Sequence, residues 1–178
     1  MQRRAVAQFE QTVLPHLDSA YNLARWLMRN DQDAEDMVQE ACLRAYKFFD
    51  RFHGGDGRAW LLAIVRNTCY TGLQRNRTHE RVTYFDEERH DTPSDALNPE
   101  SLLLRSADAQ LLRRALEELP VEFREVLALR ELEDLSYKEI AEITGLPLGT
   151  VMSRLARARK RLQQWLAPRL NEESPLEL

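Results

Sequence analysis

Residues 135–165 read LSYKEIAEITGLPLGTVMSRLARARKRLQQW, and the punctuation of this stretch decides the fold class. Ser136 followed three residues later by Glu139 is the pattern of a capping box, in which two side chains satisfy backbone N–H groups at a helix start. The helix that begins there buries Ile140, Ala141 and Ile143 and is stopped by Gly145, which suits the left-handed residue that closes a helix. Leu146 supplies the apolar contact back onto it, and Pro147, lacking a donor, opens the next helix. Val151, Leu155, Ala158, Leu162 and Trp165 then recur at spacings of three and four, which makes one buried stripe. Two short helices joined by so tight a turn are a helix-turn-helix signature.

The outward side of the second helix is basic. Thr150, Ser153, Arg154, Arg157 and Arg161 fall on a neighbouring stripe, and no acidic residue between Pro147 and Arg169 offsets Arg154, Arg157, Arg159, Lys160, Arg161 and Arg169. A charge run is usually just a solvated helix face. Here it coincides with the capping box and the glycine turn, as it must in a helix that enters a DNA major groove. There the N-terminal side chains reach base edges and the arginines further along meet phosphates.

With 178 residues and 43% hydrophobic side chains, the chain holds one ordinary domain or two small ones with packed cores. Aromatics are 8%, Gly and Pro are few, and no alternating Val, Ile or Thr run appears, so the class is all-α. The net charge of -4 argues at first against a nucleic-acid partner, but charge is segregated. Acidic residues gather in Asp31–Glu40 and Asp86–Glu100, basic ones in Arg58–Arg81 and the C-terminal helix. Cys42 and Cys69 are isolated, without metal-ligand spacing, and read as reduced core thiols. The start has no apolar signal region and no run reaches membrane-spanning length, so a cytoplasmic protein without membrane insertion is expected.

In chain order, Val6, Phe9, Val13, Leu17, Ala20, Leu23, Ala24 and Leu27 give a helix pair over 5–29, divided or kinked at Pro15. A second helix starts in Asp31–Asp33 and runs to about Phe49, burying Met37, Val38, Ala41, Cys42, Ala45 and Phe48 or Phe49. Asp36, Gln39, Glu40, Leu43 and Arg44 are left on or near its exposed side. The glycine-rich loop 51–58 leads into a third helix, about 58–77, with Trp60, Leu61, Ile64, Val65, Cys69 and Leu73 inward. Arg66, Asn67, Tyr70, Gln74, Arg75 and Arg77 fall mostly outside. Rings and amides interleaved with arginines suit a single-stranded nucleic acid, although Trp60 and Tyr70 taken alone read as core residues. Residues 78–105 read as an acidic, Pro-containing linker between domains 1–77 and 106–170, and 171–178 as a frayed tail. The second domain opens with a helix that puts Leu111, Leu112, Ala115 and Leu116 inward. Pro120 starts another helix, supported by Phe123, Val126, Leu127 and Leu129, and the helix-turn-helix completes the unit.

This organisation resembles the extracytoplasmic-function group of bacterial sigma factors over nearly the whole chain. Residues 33–40, DAEDMVQE, look like the family's region 2.2, and 60–68, WLLAIVRNT, like regions 2.3 and 2.4. Leu119-Pro120, Arg124-Glu125-Val126-Leu127, residues 137–141 and residues 149–159 resemble region 4. The resemblance implies a non-enzymatic, dissociable RNA polymerase subunit, without cofactor, that binds the core enzyme at a large-subunit coiled coil and flap. It further implies recognition of minus 10 and minus 35 promoter elements and help in opening the duplex. Carried onto this chain, the minus 35 set is Tyr137, Lys138, Thr150, Ser153, Arg154, Arg157 and Arg161. The minus 10 set is Phe52, Trp60, Arg66, Asn67, Tyr70, Arg75 and Arg77, and the core-binding set is Asp36, Gln39, Glu40 and Leu43. An anti-sigma factor would mask the same acidic face. Met152 stands where family members often have Lys or Arg, and the glycine-rich loop 53–58 departs in the segment that shapes minus 10 preference.

Two rival readings come from other classes. A self-standing operator-binding regulator needs only the helix-turn-helix, but it would normally be a dimer reading a two-fold site. Nothing in the amino-terminal half looks like a sensor. A magnesium-dependent enzyme would use Asp33, Asp36 and Glu40, yet no His, Lys or phosphate loop accompanies these carboxylates, which read more simply as helix N-terminal acids.

Overall fold

The computed structural model describes residues 2–82 and 107–172, and among them every regular element is helical. The first domain comprises α1 (Gln2–Val13), α2 (Leu17–Met28), α3 (Asp31–Lys47) and α4 (Gly57–Val82). Pro15 lies in a single 3-10 turn, Leu14–His16, which divides α1 from α2 as its ring geometry requires. Arg29 takes a left-handed conformation at the end of α2, and the Asn30 side chain then caps α3 by accepting from the Asp33 N–H at 2.7 Å. α2, α3 and α4 pack on one another. Gly72 permits the closest approach: a Cβ there would lie 2.6 Å from the Met37 sulfur.

The second domain comprises α5 (Ala107–Glu117), α6 (Val121–Leu127), a π-helical turn (Ala128–Leu132), α7 (Tyr137–Thr144) and α8 (Leu148–Glu172). The capping box at α7 is reciprocal: Ser136 Oγ accepts from the Glu139 N–H at 3.2 Å, and the Glu139 carboxylate accepts from the Ser136 N–H at 2.7 Å. Hydrogen bonding from the Ser136 backbone N–H, and then from the Ser136 side chain, holds the Glu139 carboxyl below its usual range. Gly145 closes α7 with φ of 71°, and α8 follows two residues later with Pro147 just ahead of its first turn. Val151, Leu155 and Ala158 are buried, while Leu162 and Trp165 are half-buried.

The structure differs from expectation in several places. α4 continues to Val82, past the boundary expected at 77, and α8 continues to Glu172. The rest of the expected linker, 83–105, and the tail beyond 172 lie outside the described residues. Leu112 is expected inward but is exposed, because on the face it shares with buried Ala115 it lies over an open apolar cleft. Phe48 is exposed, and Phe49 is the ring that turns in. Arg66 and Tyr70 were expected mostly outside; both are half-buried.

The last difference follows from how the domains meet. α7 lies against α4, and α6 with the π turn lies against α2. Buried side chains of both domains form one contiguous cluster. α4 is therefore covered from two directions, with Leu61, Leu62, Val65, Thr68 and Cys69 all buried. At the edge of the seam an open apolar cleft of about 250 Å³ is lined by Trp26, Leu112, Leu116, Leu132 and Leu162 among others. The Cys69 thiol is pushed up to about 12 by burial, with the charge of Glu125 adding to the effect, so it stays protonated at neutral pH.

Candidate nucleic-acid and polymerase interfaces

On α8 the sequence pattern becomes a surface. Met152, Ser153, Arg157, Lys160 and Arg161 are exposed, and Thr150 and Arg154 are half-buried at its flank. Lys138 is exposed and Tyr137 half-buried at the start of α7, with the Arg130 guanidinium 4.9 Å from the centre of the Tyr137 ring. Among the described residues, no carboxylate pairs with Arg154, Arg157 or Lys160. Arg159 differs: it pairs with Glu131 at 2.9 Å. The Arg161 guanidinium lies 5.6 Å from the centre of the Phe123 ring. Ser153 Oγ donates to the Thr150 carbonyl at 3.1 Å, which leaves its lone pairs facing outward. The first turns of α8 thus offer hydroxyls and unpaired cations together, a combination suited to a phosphate backbone and to base edges.

The residues assigned to the minus 10 element fall into three groups. Phe52 and Trp60 belong to an aromatic cluster, with ring centroids 5.0 Å apart, that continues through Phe49 to Phe9 and Tyr46. They form a fixed, half-buried wall at the loop before α4. Asn67, Arg75 and Arg77 are exposed on α4; the Asn67 oxygen is bonded loosely by Arg66 at 3.4 Å, and Arg75 lies 3.9 Å from Glu40. Arg66 and Tyr70 are held by the second domain. Arg66 Nε donates to Glu125 Oε1, Tyr70 Oη donates to Glu125 Oε2 at 2.8 Å, and the guanidinium lies 4.2 Å over the Tyr70 ring.

Burial alone would lower the Arg66 pKa, but the hydrogen bond and charge of Glu125 outweigh it and raise it. Burial, and then the charge of Glu125, push the Tyr70 phenol up. A charged Arg66 and a neutral Tyr70, both donors, therefore face Glu125 across physiological pH.

Other arginines cross the same seam and were not singled out from sequence. Arg124 is buried and donates to the Trp26 and Leu27 carbonyls at 2.9 and 3.2 Å, in the last turn of α2, and to Leu119 of its own domain at 2.6 Å. It thereby caps the C-terminus of a helix in the other domain, where unsatisfied carbonyls favour a cation. Burial, and then the like charge of Arg29, lower its pKa to about 10, still protonated at neutral pH. Arg58 donates to both the carbonyl and the carboxylate of Glu133 at 2.6 Å. The only hint in the sequence is that Arg124 and Glu125 open the otherwise apolar run Val126–Leu129, where charge must be paired if it is buried.

Asp36, Gln39 and Leu43 lie exposed on α3 at helical spacing, Leu43 with 72% of its area free, and Glu40 is half-buried beside them. Glu40 accepts from Arg44 at 2.5 Å, and Asp36 from Gln32 at 3.3 Å. Asp33 accepts from Asn30 at 2.6 Å. Among the described residues, no group of three or more His, Cys, Asp or Glu is placed to hold a metal ion. Nor is any helix among them long and apolar enough to cross a membrane.

Comparison with known proteins matches the two halves separately. Residues 12–79 match the Sigma-70 region 2 family and residues 109–162 match Sigma-70, region 4. The chain is 34% identical to the ECF RNA polymerase sigma factor SigE of Mycolicibacterium smegmatis, across 94% of this chain and 65% of that relative. It therefore spans just under two thirds of that protein's length. It is 32% identical to the RNA polymerase sigma-H factor of Pseudomonas aeruginosa, across 97% of this chain and 93% of the relative. Its fold is similar to that of the sigma factor RpoE of Bartonella quintana, solved in complex with the anti-sigma factor NepR. That match has a TM-score of 0.70 and 31% identity, and covers 90% of this chain and 97% of that one. With both family regions present in order, on the helices where their residues lie as described, the chain belongs to the ECF sigma factors of the sigma-70 family.

Proposed function

We propose that this chain directs core RNA polymerase to a set of promoters, the second domain reading minus 35 duplex through α8 and the first binding the polymerase and the opened minus 10 strand. The observation that carries this reading is that acidic and basic surfaces are carried on separate elements. The acidic stripe of α3, with Asp36, Gln39 and Leu43 exposed and Glu40 half-buried beside them, approaches the nucleic-acid set only where Glu40 lies 3.9 Å from Arg75, and it suits a basic helical partner on the polymerase. Tyr137, Lys138, Thr150, Ser153, Arg154, Arg157 and Arg161 take the duplex, with Ser153, Arg154 and Arg157 nearest the bases. Phe52 and Trp60 wall a pocket for an unstacked base, Asn67 reads its edge, and Arg66, Tyr70, Arg75 and Arg77 hold the flanking strand. None of these roles is catalytic; bond formation stays with the polymerase.

The test is transcription from a genomic library by core polymerase with and without the chain. New start sites sharing two spaced elements are expected only in its presence. A transcript population that does not change with the protein rejects the reading, and duplex binding without polymerase recruitment favours an operator-binding regulator instead.

A further inference from the structure

We propose that Met152 selects a thymine in the minus 35 element, its thioether chain packing with Leu148 against the C5-methyl that thymine presents in the major groove. The inference rests on the reading of α8 as the duplex-binding helix given above. Leu148 and Met152 are 48% and 50% exposed, and neither joins the buried core cluster. Standing four residues apart, they share one side of the first turns of α8, and exposed Ala156 continues the row. This side of the helix start is open. Apart from its own helix, nothing among the described residues would lie within 4 Å of a Cβ at Gly149.

A single exposed Leu or Met is ordinary on a protein surface. Two of them at the start of a helix that is otherwise polar on its outer side call for an apolar partner, and the surroundings say which. The next row round the helix carries exposed Ser153 and Arg157, and the apolar row itself runs on to exposed Lys160, so cations and a hydroxyl flank the apolar pair. Charge of that sign, with no carboxylate paired to Arg157 or Lys160 among the described residues, matches a phosphate backbone on both sides of a groove. Arg159, seven residues beyond Met152, is held by Glu131 at 2.9 Å and adds no free cation on that flank. Met152 has no donor for the acceptors of guanine or adenine, and its sulfur is only a weak acceptor. The one base-pair group in the major groove that rewards apolar contact is the thymine methyl. A rise of ~1.5 Å per residue sets Leu148 and Met152 about 6 Å apart along α8, within two base steps of ~3.4 Å. The flexible, unbranched Met side chain can follow the methyl over that span.

The experiment selects duplexes from a randomised pool with core polymerase loaded with the full chain. Each thymine of the upstream element is then replaced in turn by deoxyuridine, which lacks only the methyl, and binding is read by gel shift. At one or two positions affinity should fall about threefold to fivefold, the worth of burying one methyl. That penalty should vanish in Met152→Ala and persist in Met152→Leu, which keeps the apolar bulk. Repeating the selection with Met152→Lys should replace the thymine by guanine, whose O6 and N7 accept from an ammonium. Any deoxyuridine penalty in the downstream element should be the same in all variants. An upstream element without a sensitive thymine, or a penalty that survives Met152→Ala, overturns the inference and leaves the proposed function standing. Loss of polymerase recruitment in Met152→Ala without a methyl effect also overturns it, by moving Met152 to a protein interface. A pool from which no upstream element emerges removes the duplex role of α8, and the inference falls with it.

Discussion

The two basic surfaces of this molecule meet opposite fates. On α8 Arg157 and Lys160 face solvent and Arg154 is half-buried at their flank, none with a carboxylate paired to it among the described residues, whereas on α4 the Arg66 side chain is 17% exposed and spent on Glu125. Both stretches look alike in the sequence, an apolar stripe flanked by arginine and small polar residues. They differ in what lies across from them. α8 packs on its own domain and turns its basic side outward, while α4 is sandwiched between α2 and α3 on one side and α7 on the other. A basic helix face is thus a binding surface only when the fold supplies no acid to meet it, and here the acid comes from a different domain.

The sharpest way to break the comparison is to remove the cations of α8. Changing Arg154 and Arg157 together to Ala should cost about 2 to 6 kcal/mol of duplex binding, at about 1 to 3 kcal/mol for each base-contacting residue, and should relax sequence preference. Because the α8 face is already exposed, the free chain should show this loss in a gel-shift titration. Retained binding and preference would place the duplex on another surface.

Glu40→Lys addresses the acidic counterpart on α3. Reversing that charge ends the pairing with Arg44 and puts a cation in the stripe, and co-purification with core polymerase at moderate salt should fall at least tenfold while helical circular dichroism holds. Normal recovery of the complex would exclude this face as the docking site. Asn67→Ala tests α4 after opening. Permanganate reactivity of promoter thymines should drop severalfold on duplex templates, with changed base preference on pre-melted ones and core binding intact. Unaltered reactivity on every template would leave Asn67 as an ordinary exposed amide.

Tyr70→Phe separates the two uses of one side chain. The ring that would stack on a base is kept, and the hydroxyl that donates to Glu125 is lost, at about 1 kcal/mol for a hydrogen bond. The seam should loosen by that amount, read as a lower denaturation midpoint with helical circular dichroism retained. An unchanged midpoint would mean that the bond to Glu125 adds nothing to the contact between the domains.

How much of this was legible depends on distance along the chain. Ser136, Glu139 and Gly145 act within four residues of where they stand, and the structure places their cap and left-handed turn where the sequence puts them. The division at Pro15 is local in the same sense. Leu61, Leu62, Ala63, Ile64 and Val65 form an unbroken apolar run, and a helix apolar around so much of its circumference is covered on more than one side. That run, not used in reading the sequence, could point to a second neighbour for α4 but not to which one. Glu125 meets Arg66 across 59 positions and Arg124 meets Leu27 across 97, and no periodicity encodes such a pairing. The π turn at Ala128–Leu132, with the Glu133 N–H donating five residues back to Ala128, likewise has no signature in the residues that form it.

α7 is where the two surfaces are mechanically joined, since Tyr137 and Lys138 stand at its start while the helix packs on α4. Its first turn is set by the capping box, so Ser136→Ala should lower the stability of the fold by about 1 kcal/mol, read as a reduced denaturation midpoint. The Glu139 half of the box carries a pH signature whose sign is fixed. Its carboxyl is held below the ordinary value by bonds from Ser136, so the charged form is favoured in the folded state. Such a group adds stability that is fully present above the unfolded glutamate value of about 4.3 and is lost as the pH falls through the lower folded value. The stability gap between the protein and Glu139→Gln should accordingly be constant from neutral pH to about 5 and shrink below about 4. A gap that stays constant to low pH would mean that the carboxylate charge contributes nothing to the cap and that shape alone holds the first turn of α7.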